Sequence, residues 1–230
     1  MSSHITPVFR IRPARHEEVA TAANIIADSF GPVEPYLIWL FPHSQDRAKS
    51  ALPLIQLWAE DAYAAGTLMV AVTATEASST DMHTTPECVA GAAIWEVEGA
   101  PAGKHASAGG AFLTQCRYFG RMVTKSVVTL PIMWRTLGKH FWRYYFEAFL
   151  SKNARGFEEQ CYLSSLAVAP AFRGFGVAAQ LLHQPPRKDL LLTLECREEL
   201  VGFYLHNGFI RGRCYCLPRT TTMVSFSRFS

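Results

Sequence analysis

Tyr162-Leu163-Ser164-Ser165-Leu166-Ala167-Val168-Ala169-Pro170-Ala171-Phe172-Arg173-Gly174-Phe175-Gly176-Val177-Ala178-Ala179-Gln180-Leu181-Leu182 reads as a strand, a turn and the start of a helix. Apolar residues fill the strand, Pro170 ends it, and Gly174 and Gly176 let the backbone fold back on itself. A helix follows directly, so its unpaired first amides and the positive end of its dipole point into the turn. Such a turn suits a diphosphate. Two readings compete at this point. A dinucleotide site asks for a third glycine where Ala179 stands and for an acid closing the next strand, a place Glu195 could take; an ordinary tight turn asks only for the glycines.

Outward from this unit the elements alternate. Phe9 and Ile11 mark a strand, and Val19, Ala22, Ala23, Ile26 and Phe30 recur at helical spacing after it. Gly31-Pro32 and Pro35 break that pattern, and Leu52, Ile55, Ala59 and Ala62 set up a second helix that Pro53 bends. Residues 67–72 and 88–95 read as strands around a long polar hairpin loop at 73–87. Beyond the turn, 176–183 reads as a short helix stopped by Pro185-Pro186, 190–195 as a strand, 198–206 as a helix, and 209–216 with 220–226 as a final hairpin. The expectation is one α/β domain over residues 1–230 with a mixed sheet and helices on both faces.

Composition narrows the classes. The chain has 230 residues, 18% of them charged, and a net charge of +3, which does not argue for nucleic acid. No apolar run has the length of a membrane span and no leader is visible, so a cytoplasmic protein without stable membrane insertion is expected. Six cysteines lack zinc-like spacing, so no metal is expected. The basic charge concentrates in residues 111–155, which hold Arg117, Arg121, Lys125, Arg135, Lys139, Arg143, Lys152 and Arg155 against Glu147. Trp134, Phe141, Tyr145 and Phe149 repeat there at helical spacing, which reads as a helical insertion packing its aromatic side inward. A membrane-surface role for that amphipathic face is the minority reading.

Arg173-x-x-Gly176-x-Ala178, with the Leu166-x-Val168-x-Pro170 strand before it and Leu181-Leu182 after it, resembles the acetyl-CoA motif of the GNAT N-acetyltransferases. Phe203-Tyr204-x-x-x-Gly208-Phe209 is similar to the later helix of that family. Phe30-Gly31, Pro35, Trp39, Phe41-Pro42 and Gly91-Ala92-Ala93-Ile94-Trp95 look similar to the puromycin N-acetyltransferase-like branch. The resemblance implies a mostly antiparallel sheet whose fourth and fifth strands splay apart, with the helical insertion before the fourth. It implies acetyl-CoA as co-substrate, its pantetheine arm along Leu166, Ala167 and Val168, and its diphosphate on Arg173, Gly174, Phe175, Gly176, Val177 and Ala178.

The resemblance further implies direct attack on the thioester by an amine. Tyr204 matches the tyrosine that protonates the departing thiolate, a transfer uphill by about 2 kcal/mol on reference values. Glu195, in Leu194-Glu195-Cys196, resembles the residue placed to take the amine's proton; the plainer reading is a strand-end carboxylate paired with Arg197. Trp39, Phe41 and Trp134 are the candidate walls of an acceptor pocket. The short helix after the turn and Glu198-Glu199 in place of an asparagine depart from the family pattern. The leading expectation is acetylation of a small-molecule amine, and a homodimer is compatible with it. The alternatives are acetylation of a peptide N-terminus or lysine, and a non-catalytic acyl-CoA-binding module.

Overall fold

The computed structural model describes residues 7–73, 87–98, 160–217 and 221–228. The first layer begins with β1 (Phe9–Pro13) and a 3-10 turn (His16–Glu18), then α1 (Val19–Phe30), α2 (Pro35–Leu40) and α3 (Arg47–Ala64). Then come β2 (Leu68–Thr73), β3 (Val89–Glu98) and β4 (Gln160–Val168). After a 3-10 turn at Pro170–Phe172 the chain forms α4 (Val177–Leu182), β5 (Leu191–Arg197), a 3-10 turn at Glu198–Leu200, α5 (Val201–His206), β6 (Ile210–Leu217) and β7 (Thr221–Arg228).

The strands form one seven-stranded sheet in the order β1-β2-β3-β4-β5-β7-β6. Neighbours are antiparallel except β4 and β5, which run parallel. The α/β class and the mixed, mostly antiparallel sheet are as the sequence implies. The hairpin loop at 74–86 and the basic segment 111–155, with Trp134, lie outside the described residues.

Two cores cover the two faces. On one, α1 and α3 bury Ala22, Ala23, Ile26, Ala51, Ile55 and Ala59 over Val70, Val72, Ala92 and Ile94. On the other, α4 and α5 bury Val177, Leu181, Leu182 and Tyr204 over Trp95, Leu163, Leu194 and Phe226. Alternation along the strands sends successive side chains to opposite cores.

Pro35 is a correction to its reading as a breaker: it occupies the first turn of α2, where its missing N–H has no helical partner to lose and its fixed φ favours the helix. Pro53 lies inside α3, which continues through it to Ala64 from an Asp46 cap that accepts the Lys49 amide at 3.0 Å. The edge strand β1 is tied down by charge. Arg12 binds both oxygens of Glu18 at 2.7 and 2.6 Å and one of Glu87 at 2.8 Å, and Glu87 also pairs with Arg10. Burial opposes the Glu18 charge, but the Arg12 guanidinium and the Arg15 amide outweigh it and hold its carboxyl below the usual range.

Candidate functional site

The site starts from an irregularity in β4. Ile94 of β3 pairs with Ser165 and Trp95 with Leu163, leaving Ser164 without a counterpart. The bulge flips the strand's phase: Cys161 and Leu163 face the α4 side, as do Leu166 and Val168, while Ala167 turns to the α1 side. A bulge also bends its strand. The β4 and β5 pairing runs from Gln160 and Leu191 to Leu163 and Leu194 and stops there, at the bulge. Beyond it β4 stays with β3, and Glu195, Cys196 and Arg197 of β5 pair with β7. The sheet therefore opens between its two central parallel strands.

One side of that opening is a strand edge that β5 leaves uncovered. The Ala169 amide donates to the Ala90 carbonyl at 2.9 Å, toward β3. Because backbone groups alternate between edges, those of Ala167 also point to β3, and those of Leu166 and Val168 point into the opening. An extended chain can add to such an edge as a strand does.

The turn closes the end of the opening. Phe172 anchors it, packing edge-on against Phe9 at 5.9 Å. Gly174 and Gly176 have φ of 86° and 77°, and a Cβ at either would touch nothing among the described residues, so conformation explains these glycines. Among the described residues, no acceptor meets the backbone N–H groups from Gly174 to Ala179. Consecutive unpaired amides at a helix start form an anion cradle. Arg173 stands beside it, its Nε donating to the Val168 carbonyl at 3.2 Å and its Nη2 to Ser29 Oγ at 3.4 Å. Gly91 lets α4 settle onto the sheet: a Cβ there would lie 3.0 Å from Val177 Cγ1 and 2.9 Å from the Ala167 oxygen.

Neither a family model nor a curated protein matches the sequence. Solved structures do match the fold. One is a histone acetyltransferase-related acetyltransferase from Corynebacterium glutamicum, with a TM-score of 0.56 at 16% identity over 96% of each chain. Another is a putative arylalkylamine N-acetyltransferase from the yellow fever mosquito, with a TM-score of 0.54 at 12% identity over 96% of this chain and 86% of that one. A polyamine N-acetyltransferase from Drosophila melanogaster gives 0.51 at 12% identity over 97% and 100%. The fold is that of the GNAT acetyltransferases.

Within this GNAT fold the two candidate proton carriers lie on opposite faces of the sheet. Leu192, Leu194 and Cys196 point to the α4 and α5 side, so alternation turns the half-buried Glu195 to the other. Tyr204, on α5, is 7% exposed, with its ring among Phe203, Phe209 and Phe226 at 5.1, 5.9 and 5.8 Å. Burial pushes its hydroxyl well above the ordinary tyrosine value, and the nearby Cys196 thiol adds to this. Phe41 is half-buried against the α1 and α3 core. Trp39 lies in α2; its side chain, like all of Trp134, is outside the described set.

Several residues of the site escape a reading by motif. Ser164, which opens the strands, has one visible signal: apolar positions 161, 163, 166 and 168 change phase across Ser164-Ser165. Cys196 sits near Tyr204 with no motif to mark it. Among the described residues, no group of three or more His, Cys, Asp or Glu is placed to hold a metal, and no helix is long and apolar enough to cross a membrane.

Proposed function

We propose that the chain is an acetyl-CoA-dependent N-acetyltransferase that passes an acetyl group to the amine of a small molecule by direct attack. The observation that carries this reading is the opening beyond Leu163 and Leu194, with a β4 edge along it that β5 does not cover and, at its end, the amides of Gly174 to Ala179, which meet no acceptor among the described residues. An edge for an amide-bearing arm next to a cradle for a diphosphate is what coenzyme A asks for. Bound acetyl-CoA supplies an activated thioester. The backbone of Leu166, Ala167 and Val168 aligns the arm, and Arg173 to Ala178 hold the phosphates, with the Arg173 charge beside them.

Glu195 takes the amine's proton from one face of the sheet and Tyr204 faces the departing sulfur from the other. Since burial raises the tyrosine further, complete proton transfer is steeper than reference values imply, and Tyr204 serves chiefly as a hydrogen-bond donor to the developing thiolate. Burial also pushes the thiols of Cys161 and Cys196 up to about 11, so neither offers the thiolate that a covalent acyl-enzyme needs, which supports direct attack.

The small-amine acceptor draws support from the names of two similar structures, an arylalkylamine and a polyamine N-acetyltransferase. We assign Trp39, Phe41 and Trp134 to the acceptor wall, and place the chain nearest the puromycin-type branch on the upstream resemblance. The test is release of free coenzyme A from acetyl-CoA across a panel of amines, beside a calorimetric titration with coenzyme A. Steady release with small amines is expected. Release with peptides alone selects the peptide acetyltransferase reading, binding without release selects the acyl-CoA-binding module, and no heat at saturating coenzyme A sinks all three.

A further inference from the structure

Two helices of six residues each flank the opening, α4 behind the amide turn and α5 bearing Tyr204. Helices this short do not persist on their own, so their directions are set by whatever holds them. Both are held at their C-terminal ends by one side chain. Arg228 follows Val224 and Phe226 on the same face of β7, under the two helices. Its Nη2 donates to the Leu182 carbonyl at 3.2 Å, at the end of α4, and its Nη1 to the Asn207 carbonyl at 2.7 Å, just past α5. The same Nη1 lies 3.2 Å from His183 Nδ1, a contact that requires the ring to accept there.

The guanidinium also stacks, with Cζ 4.7 Å from the centre of the Phe209 ring, which in turn meets the Tyr204 ring at 5.9 Å. Its Nε is buried and has no partner among the described residues, so the fork and the stack hold the side chain in this pose. Cations belong at helix C-termini, where orphan carbonyls gather. Here the early stop of α4 at His183, before the buried Pro185, leaves the Leu182 carbonyl free for Arg228. A six-residue helix is about 9 Å long, so a shift at Leu182 is carried to the amides at its start.

We propose that Arg228 is a positioning residue: by joining the C-terminal carbonyls of α4 and α5 it sets the amide turn and Tyr204 in register across the opening. What the register serves rests on the acetyl-transfer reading; the tie itself does not. Replacement tests it. Lysine keeps the charge but not the two-pronged fork, and glutamine removes the charge.

Hydrogen exchange is the readout independent of activity. In Arg228→Lys and Arg228→Gln, the hydrogen-bonded amides at the ends of the two helices, Gln180 and His183 for α4 and Asn207 and Phe209 for α5, should exchange faster together, by about tenfold or more, while those of α1 keep their wild-type rates. Unchanged exchange in α4 or α5 overturns the proposal. In turnover, Tyr204→Phe should cost about tenfold in the wild-type background and under about threefold in the Arg228→Lys background, because coupled residues are not additive. A full tenfold cost in both backgrounds reduces Arg228 to a stabilising role and overturns the proposal. If glutamine prevents folding, the lysine variant carries both measurements. A wild-type chain that binds no coenzyme A overturns the acetyl-transfer reading instead and leaves the exchange data to judge the tie.

Discussion

The two faces of the sheet are built by opposite means. On one, α1 and α3 run 12 and 18 residues and meet through alanines, with Ala22, Ala23, Ala51 and Ala59 fully buried. On the other, α4 and α5 have six residues each and the space is filled by large side chains, among them Leu181 and Leu182 of α4, Phe209 just past α5 and Phe226 of β7. Long helices satisfy most of their backbone internally. Short ones are mostly ends, and their unpaired amides and carbonyls must meet something outside the helix. The first face is thus suited to holding the sheet, and the second to presenting backbone groups beside the opening between β4 and β5.

Glycines expose the difference. Gly31 closes α1 where a Cβ would lie 2.6 Å from the Ala48 nitrogen and 2.7 Å from its Cα, backbone atoms that cannot rotate away. Gly31→Ala should therefore cost about 3 kcal/mol, at the upper end of overpacking. That corresponds to a melting point roughly 6–12 °C lower by calorimetry. Coenzyme A affinity of the folded fraction should be unchanged. Gly91→Ala meets softer neighbours in Val177 and Leu181 together with the Ala167 oxygen, so about 2 kcal/mol is expected. Because what must yield is α4 and the β4 backbone at Ala167, both beside the opening, affinity should fall together with stability. Loss of affinity in the Gly31 variant, or its retention in the Gly91 variant, would break the division between the faces.

Tyr204→Phe sharpens the comparison within the second face. It removes one hydroxyl from a ring packed by three phenylalanines, so stability and coenzyme A affinity should hold while turnover falls at least tenfold, about 1.4 kcal/mol in the barrier. The raised hydroxyl stays protonated across the working range, so the ratio of wild-type to variant rates should be flat from about pH 7 to pH 10. A ratio that closes above about pH 9 would mean that Tyr204 ionises near its ordinary value, and the burial argument for a hydrogen-bond donor would fail.

What the sequence discloses follows from how local the cause is. The Arg173 to Ala178 turn is legible because proline, glycines and a following helix act on their immediate neighbours. The end of α4 is legible for the same reason, with Pro185 and Pro186 stopping it. Pro35 misleads because one residue type both breaks helices and begins them, and only its neighbours in space decide. Glu195 and Tyr204 look like companions in the chain, nine residues apart, yet strand alternation sends Glu195 to the face opposite Tyr204. Arg228 is the least legible, since its partners are carbonyls, which every residue has, at positions 46 and 21 residues away.

Gly176→Ala gives the smallest effect and the cleanest separation of causes. Nothing lies within 4 Å of a Cβ at this position, so the substitution removes no space and touches no core. Its whole cost, about 1 kcal/mol, comes from holding an L residue at a φ of 77°. If the turn keeps its shape, that cost appears as a small loss of stability and coenzyme A binds as before. If the backbone relaxes toward negative φ, the amides after Gly176 swing off their common point, and the cost appears as an affinity about fivefold weaker with the melting point preserved. The turn is restrained before Gly174, by Phe172 against Phe9 and by Arg173 on Val168 and Ser29, so the stretch after it should relax and the affinity loss is the expected result. A drop in melting point with full affinity would mean that the turn is as rigid as the α1 and α3 face.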